Sequence, residues 1–91
     1  MLNCGLCCPE RKVVFLGISY NLVEFDLENM KITKNVYTKG NVHNMENANE
    51  ETFLIGDWYG NLKLIGKKDL TCLSNLKVEG ISSIPYIENL Y

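Results

Sequence analysis

Four cysteines carry the most reactive side chains of this sequence. Cys4 and Cys7 have the C-x-x-C spacing of half a zinc knuckle, and Cys8 follows directly. A structural zinc site needs four ligands, usually in two close pairs, whereas the other soft donors, Cys72 and His43, are each isolated in the sequence. A zinc- or redox-dependent cysteine module is therefore an alternative. Otherwise the cysteines are expected to be small, buried side chains of a strand.

Catalytic chemistry has little basis in the residue pattern. The chain has one histidine, His43, and no nucleophile-elbow, phosphate-loop or dinucleotide-binding motif, so a nucleophile, its base and an orienting group cannot be assembled. Glu24 and Asp26 lie two apart on one face of an expected strand, as an acid–base pair would. Such pairs are more often solvated strand residues or turn caps. We expect a non-enzymatic protein with no cofactor and no metal.

Charge and hydropathy exclude several classes of partner. Nine basic and eleven acidic residues are scattered along the chain, with a net charge of −2, so no basic stripe is available for nucleic acid. No apolar run reaches the ~18 residues of a membrane span. The basic pair Arg11-Lys12 follows the first apolar segment, the reverse of the order in a signal peptide. The crowded cysteines favour a reduced, cytoplasmic chain, with their acylation as an alternative.

Apolar runs and turn-forming residues alternate along the chain. In Thr52–Gly66 an apolar run meets a cluster of turn-forming residues, after which apolar and polar residues alternate. This is the pattern of two strands joined by a tight turn. The same reasoning favours a loop over the Asn-rich residues 46–51. It predicts minimal helix and eight strands, at Leu2–Cys8, Lys12–Ile18, Leu22–Leu27, Lys31–Tyr37, Val42–Glu46, Thr52–Gly56, Leu62–Ile65 and Leu70–Leu76.

The two halves of the chain are related by a repeat. Phe15-Leu16-Gly17 matches residues 54–56 at an offset of 39, and Asn21-Leu22 matches residues 61–62 at an offset of 40. In the same alignment Met45 corresponds to Leu6. Four short strands in each ~40 residues are typical of a β-propeller blade. We therefore expect one repeat at residues 1–40, a second at 41–79 and the first strand of a third at 80–91.

The repeat resembles the WD40 family of β-propellers at specific residues. Gly56–Ile65 is similar to the Asp-containing turn between the second and third strands of that family. Phe25-Asp26 lies where the family has the Trp-Asp pair that ends strand three, and Gly40 and Gly80 lie where its Gly-His dipeptide precedes a new blade. The second repeat lacks the Trp-Asp pair, and neither glycine is followed by histidine. The buried His–Asp network of the family is therefore expected to be incomplete.

The resemblance implies an all-β fold of antiparallel four-stranded propeller blades. A propeller ring needs at least about four blades, so this chain would be a partial, unclosed segment that is completed by further blades of a longer chain or by self-association. The structural alternative is a small closed barrel or sandwich binding domain in which the repeat is accidental. The function implied by the resemblance is a scaffold for protein–protein interaction.

The predicted partner-binding surface is one rim of these blades. There the turns between the second and third strands should lie beside the connections between repeats. Aromatic residues mixed with both charge signs suit a protein partner better than a phosphate backbone. Trp58 is either an anchor or a packed ring, and the Asp57 carboxylate is expected to accept N–H bonds across its turn. The predicted rim residues are Tyr20, Asn21, Lys39, Asn41, Asp57, Trp58, Tyr59 and Glu79.

Overall fold

The computed structural model describes residues 2–57 and 60–77, which form two four-stranded antiparallel sheets. Sheet 1 contains β1 (Leu2–Cys8), β2 (Val13–Ile18), β3 (Asn21–Asp26) and β4 (Lys31–Tyr37), and sheet 2 contains β5 (Asn44–Asn47), β6 (Thr52–Gly56), β7 (Asn61–Gly66) and β8 (Cys72–Lys77). Within these ranges a single 3₁₀ turn, Pro9–Arg11, is the only helical element. Nothing helical in the described part of the chain could cross a membrane.

The predicted all-β fold with two antiparallel four-stranded sheets is confirmed. Every predicted strand is present, and its ends differ from the prediction by at most two residues. Residues 48–51 are a loop, as expected, whereas Glu46 and Asn47 of the predicted loop belong to β5. The sheets remain two separate units in the described residues, so the closed-barrel form of the alternative is wrong. The sandwich form of that alternative stays a prediction. The third repeat, predicted from residue 80 onwards, lies outside the described residues.

Tight turns set the strand pairing within each sheet. Ile18 pairs with Asn21 across the two-residue β2–β3 turn, and Ser19 adopts a left-handed φ of 53° there. At the β3–β4 turn the Asp26 carboxylate accepts the Glu28 N–H at 2.9 Å and the Asn29 side-chain amide at 2.8 Å. Each turn therefore fixes the register of the strands beside it.

The sequence repeat is also a repeat of hydrogen-bonding register. Asn21 pairs with Tyr37 in sheet 1, and Asn61 pairs with Lys77 in sheet 2, so both partners are related by an offset of 40. The same irregularity follows Glu24 in β3 and its counterpart in β7. The β3–β4 pair of sheet 1 and the β7–β8 pair of sheet 2 therefore have the same register and the same bulge.

One pairing in the predicted alignment is off by a residue. Met45 was matched to Leu6, but Met45 pairs with Ile55 whereas Gly5 pairs with Leu16, the counterpart of Ile55. Gly5 is therefore the structural counterpart of Met45. The error matters because a slip of one residue exchanges the two faces of a strand.

The core lies between the two sheets. The fully buried rings of Phe15 and Phe53 stack there with centroids 4.7 Å apart and planes inclined by 23°. Around this pair, the buried apolar residues of the described core are Cys8, Val13 and Leu22 of sheet 1, Ile55 and Ile65 of sheet 2, and Val42 and Leu70 of the connections.

The sheets pack through faces that are not equivalent in the repeat. Residues paired across a sheet share a face, and neighbours along a strand alternate between faces. We define the leading face of each sheet by Phe15 and Leu22 in sheet 1 and by their counterparts Leu54 and Leu62 in sheet 2. The trailing face is the opposite one. In sheet 1 it carries Val14, Leu16 and Phe25, and in sheet 2 it carries their counterparts Phe53, Ile55 and Ile65.

The core joins the leading face of sheet 1 to the trailing face of sheet 2. Phe15 and Leu22 belong to it, whereas their counterparts Leu54 and Leu62 do not. Likewise Ile55 belongs to the core, and its counterpart Leu16 does not. The two copies are therefore stacked head to tail.

Gly17 is predicted to be essential for this stacking. A Cβ at residue 17 would lie 2.7 Å from Cγ1 of Val42 and 2.8 Å from Sγ of Cys4, so Gly17→Ala should lower the free energy of unfolding by about 1–3 kcal/mol through overpacking. Gly66→Ala is the matched control, because its Cβ would meet no atom nearer than 3.7 Å and should change stability by about 0.5 kcal/mol or less. Urea denaturation measures both. Equal stability of the two variants would contradict the close approach.

Candidate partner-binding rim

Three segments meet at one end of the two sheets and form an open groove. They are the β2–β3 turn, the connection from β4 to β5, and the start of β7 with its preceding turn. The first two meet because the start of β3 and the end of β4 are paired, at Asn21 and Tyr37. The third is joined to them by the hydrogen bond from Lys63 of β7 to the Thr38 carbonyl. We call this end the rim. Its groove encloses about 340 Å³ and is lined by Tyr20, Thr38, Lys39, Gly40, Asn41, Asp57, Asn61, Lys63 and Asn75.

The structure brings together four of the predicted rim residues. Tyr20, Lys39, Asn41 and Asp57 all line the groove. Asn21 does not line it, because it pairs with Ile18 and so lies on the trailing face of sheet 1, away from sheet 2. The remaining predicted rim residues, Trp58, Tyr59 and Glu79, lie outside the described residues.

Thr38 organises the rim, and the sequence prediction missed it. Its hydroxyl lies 2.8 Å from the Tyr20 carbonyl oxygen and 2.7 Å from that of Gly40, and its N–H also donates to Tyr20. The Lys63 ammonium, from sheet 2, donates to the Thr38 carbonyl at 3.0 Å. Thr38 thereby ties the β2–β3 turn, the connection and sheet 2 together. A lone threonine after a strand gives no sequence signal for such a role.

Asp57 holds the turn that precedes β7. Its carboxylate accepts the Asn61 backbone N–H at 3.0 Å and the Asn61 side-chain amide at 2.7 Å, which confirms the predicted bond across the turn. Only 7% of Asp57 is exposed, so it offers little surface to a partner. Gly40 packs so closely that a Cβ there would lie 2.8 Å from the carboxylate. Asp57 therefore positions the turn before β7, and a side chain at residue 40 would have to displace its carboxylate.

Exposed aromatic rings flank the groove. Tyr20 and Tyr37 are 50% and 65% exposed, and their rings meet edge to face at 6.5 Å. Lys39 is exposed beside them with a left-handed φ of 68°, and the Asn41 side chain accepts a 2.6 Å bond from Asn3. The accessible part of the rim is an aromatic pair next to Lys39 and several amides, with Lys63 half-buried in the groove.

The cysteines do not converge. Because Cys4 and Cys7 are three apart in β1, their side chains point to opposite faces of sheet 1. Cys4 is half-buried, Cys8 is buried, and Cys7 and Cys72 are exposed. The expectation of buried cysteines is thus right for Cys8 and wrong for Cys7. Over residues 2–57 and 60–77 no group of three or more His, Cys, Asp or Glu side chains could hold a metal ion.

The two thiols on the leading face of sheet 1, those of Cys4 and Cys8, are also poor nucleophiles. Burial raises the pKa of Cys4, whose thiol lies 3.8 Å from the Val42 carbonyl oxygen. Burial, followed by a hydrogen bond to Glu10, raises the pKa of Cys8. A raised pKa favours the thiol over the thiolate that is needed for nucleophilic attack or metal binding. Both thiols therefore act as packing groups.

The carboxylates two apart on β3 have separate structural roles. Glu24 is 8% exposed and accepts hydrogen bonds from the Thr33 hydroxyl at 2.7 Å and the Lys34 ammonium at 3.1 Å. It is not the solvated residue that the sequence predicted. Asp26 caps the β3–β4 turn, as predicted, and its hydrogen bonds with Asn29 and Glu28 lower its pKa. His43, half-buried, donates its backbone N–H to the Gly56 carbonyl.

Comparisons of the chain with models of known protein families, with curated proteins and with solved structures found no match. The likeness to WD40 repeats therefore depends on the sequence motifs alone. The features of the chain that bear on its function are the rim and the packing of the two sheets.

The Asp57 hydrogen bonds are predicted to stabilise the folded state. Asp57→Ala leaves the Asn61 N–H without its acceptor in a partly buried turn, so unfolding should become easier by about 1–3 kcal/mol. Asp26→Ala removes bonds of the same type at an exposed turn, where water can replace them, and should cost less. Urea denaturation at neutral pH compares the variants. A larger loss for Asp26→Ala would contradict the positioning role of Asp57.

Proposed function

We propose that this chain is a non-enzymatic, propeller-like scaffold that binds a protein partner through its rim. The observation that carries the proposal is the exposed Tyr20–Tyr37 pair beside Lys39, at the mouth of a groove formed by both sheets. Four residues that the WD40 resemblance implies for partner binding line this groove.

The chemistry of the rim suits a folded protein or a peptide. Tyrosine rings supply large contact areas at a low entropic cost and are enriched in interface hot spots. Lys39 and the amides of Asn41 and Asn75 can fix the orientation of a partner through polar contacts at the border of the aromatic pair. Lys39, and Lys63 that is bonded to the Thr38 carbonyl, are a poor match for the regular charge of a nucleic acid backbone.

The rim is held rigid from below. Thr38 and Asp57 are both buried. The hydrogen bonds of Thr38 join the β2–β3 turn, the connection and Lys63 of sheet 2, and those of Asp57 close the turn before β7. A rigid support reduces the ordering cost of binding. The same support makes the rim depend on the relative placement of the two sheets, as expected for a surface built by adjacent blades. A reduced, cytoplasmic setting is proposed as well, because all four cysteines are free thiols.

The proposal is tested by comparing the two ends of the sheets. The double variant Tyr20→Ala/Lys39→Glu alters the rim, and Met30→Ala/Lys31→Glu makes an equivalent change at the opposite end, where Met30 is 67% exposed. Proteins captured by the immobilised chain are identified, and their affinities for each variant are measured by calorimetry. Loss of a tyrosine hot spot should weaken binding about 30-fold or more, whereas the control should bind as the original chain does.

Two results would contradict the proposed function. In one, both double variants bind the captured protein equally well, which would place its site elsewhere. In the other, the purified chain holds stoichiometric zinc and binds no protein, which would favour the alternative of a cysteine-based metal module. Metal analysis of the same preparation distinguishes these results.

A further inference from the structure

The two outward faces of the stacked sheets are apolar. The leading face of sheet 2 carries four leucines, of which Leu54, Leu62 and Leu64 are half-buried and Leu76 is 57% exposed. None of them belongs to the core of the described residues. An apolar surface of this kind on a sheet is normally covered by another layer.

The trailing face of sheet 1 is the other outward face. Val14, Leu16 and Phe25 are half-buried there, and Ile32 is 55% exposed. Val23, which pairs with Leu16 at the centre of this face, is buried but lies outside the core cluster. The centre of the trailing face of sheet 1 is apolar, whereas on the leading face of sheet 2 Glu46 pairs with Leu54 and adds one carboxylate at the β5 edge.

Each outward face is the counterpart of a face that is already packed within the chain. Leu54 and Leu62 correspond to the fully buried Phe15 and Leu22 of sheet 1. In the same way Leu16 corresponds to Ile55 of sheet 2, of which 4% is exposed. The outward faces thus repeat the two halves of the internal interface. Besides lacking a neighbour among the described elements, they differ from it in side chains. Leu54 and Val14 replace Phe15 and Phe53, and Glu46 replaces Leu6.

We infer that a second copy of this chain packs the trailing face of its sheet 1 on the leading face of sheet 2. The contact would reproduce, between chains, the head-to-tail stacking that joins the sheets within one chain. Copies of this chain can cover both kinds of outward face, because each copy has one face of each kind. A single strand from elsewhere in the chain could cover at most one of them.

This contact is heterologous, because the surface given by one copy differs from the surface received. Such contacts form rings when the rotation between copies closes and open filaments when it does not. Two copies would provide four sheets, which is the smallest number that propeller rings contain. The inference is independent of the partner proposed for the rim, because it concerns the faces of the sheets and not their ends.

The test uses the full chain in size-exclusion chromatography with light scattering over a dilution series. The original chain should form a discrete oligomer that dissociates on dilution. Leu16→Lys and Leu54→Lys each place a charge at the centre of one outward face, and each should weaken the association at least tenfold. Ile32→Lys and Leu76→Lys, at exposed positions on the same two faces, serve as second variants that cannot disturb the core.

Mixing the variants distinguishes head-to-tail packing from face-to-face packing. Ile32→Lys retains an intact leading face on sheet 2, and Leu76→Lys retains an intact trailing face on sheet 1. Each variant alone should be largely monomeric, whereas an equimolar mixture should form a 1:1 dimer through the two intact faces. Met30→Lys, at an exposed position away from both faces, is the matched control and should associate as the original chain does.

Three results would overturn the inference. In the first, the original chain is monomeric at every concentration. In the second, all four face variants self-associate as well as the original chain does. In the third, the mixture of Ile32→Lys and Leu76→Lys remains monomeric. If residues 78–91 cover the leading face of sheet 2 instead, the original chain will be monomeric and Leu54→Lys will lower its melting temperature. Circular dichroism confirms that each variant keeps its β-sheet content.

Discussion

The stack of Phe15 on Phe53 is the contact on which the rest of this structure depends. One ring comes from the second strand of each sheet, both are fully buried, and their centroids are 4.7 Å apart. An aromatic pair of this kind contributes about 0.5–1.5 kcal/mol beyond the burial of its area. Its larger effect is geometric. It fixes which face of sheet 1 meets which face of sheet 2, and the connection between the sheets then passes over Gly17 so closely that no side chain fits there.

The rim follows from this packing. Because the sheets are stacked, the β2–β3 turn of one lies beside the connection that leads into the other, and Lys63 of sheet 2 reaches the Thr38 carbonyl of that connection. The groove at the rim would not exist in either sheet alone.

The same packing covers only half of the apolar surface of the two sheets. Each sheet has two apolar faces, and the other sheet covers only one of them. A small domain has little core to spare, so burial of the sheet 2 leucines that no described element covers would add to its stability.

Most of the fold could be predicted from the sequence because its local signals agree. Turn residues such as Asp26 and Gly60 separate short apolar runs. Because the sequence repeats, each strand pattern occurs twice, and the two occurrences support the same assignment. The Asp57 bond across its turn was predictable for the same reason, since aspartate commonly accepts N–H groups a few residues ahead. Local pattern could not show which face of β1 is buried, because Cys4, Cys7 and Cys8 are equally apolar by type. It could not predict the burial of Glu24 either, because Thr33 and Lys34, which satisfy its charge, come into reach only after β3 and β4 pair. Thr38 was missed because its partners belong to three different segments.

The head-to-tail stacking of the two sheets is tested most directly by a double-mutant cycle on Phe15 and Phe53. Phe15→Leu and Phe53→Leu are made singly and together, and the free energy of unfolding of each is measured in urea. If the rings stack as described, the two changes should be coupled by about 0.5–1.5 kcal/mol. Phe25→Leu, on the outward face of sheet 1, should show no coupling to Phe53→Leu. Additive effects of the Phe15 and Phe53 changes, or equal coupling of Phe25 with Phe53, would contradict the account.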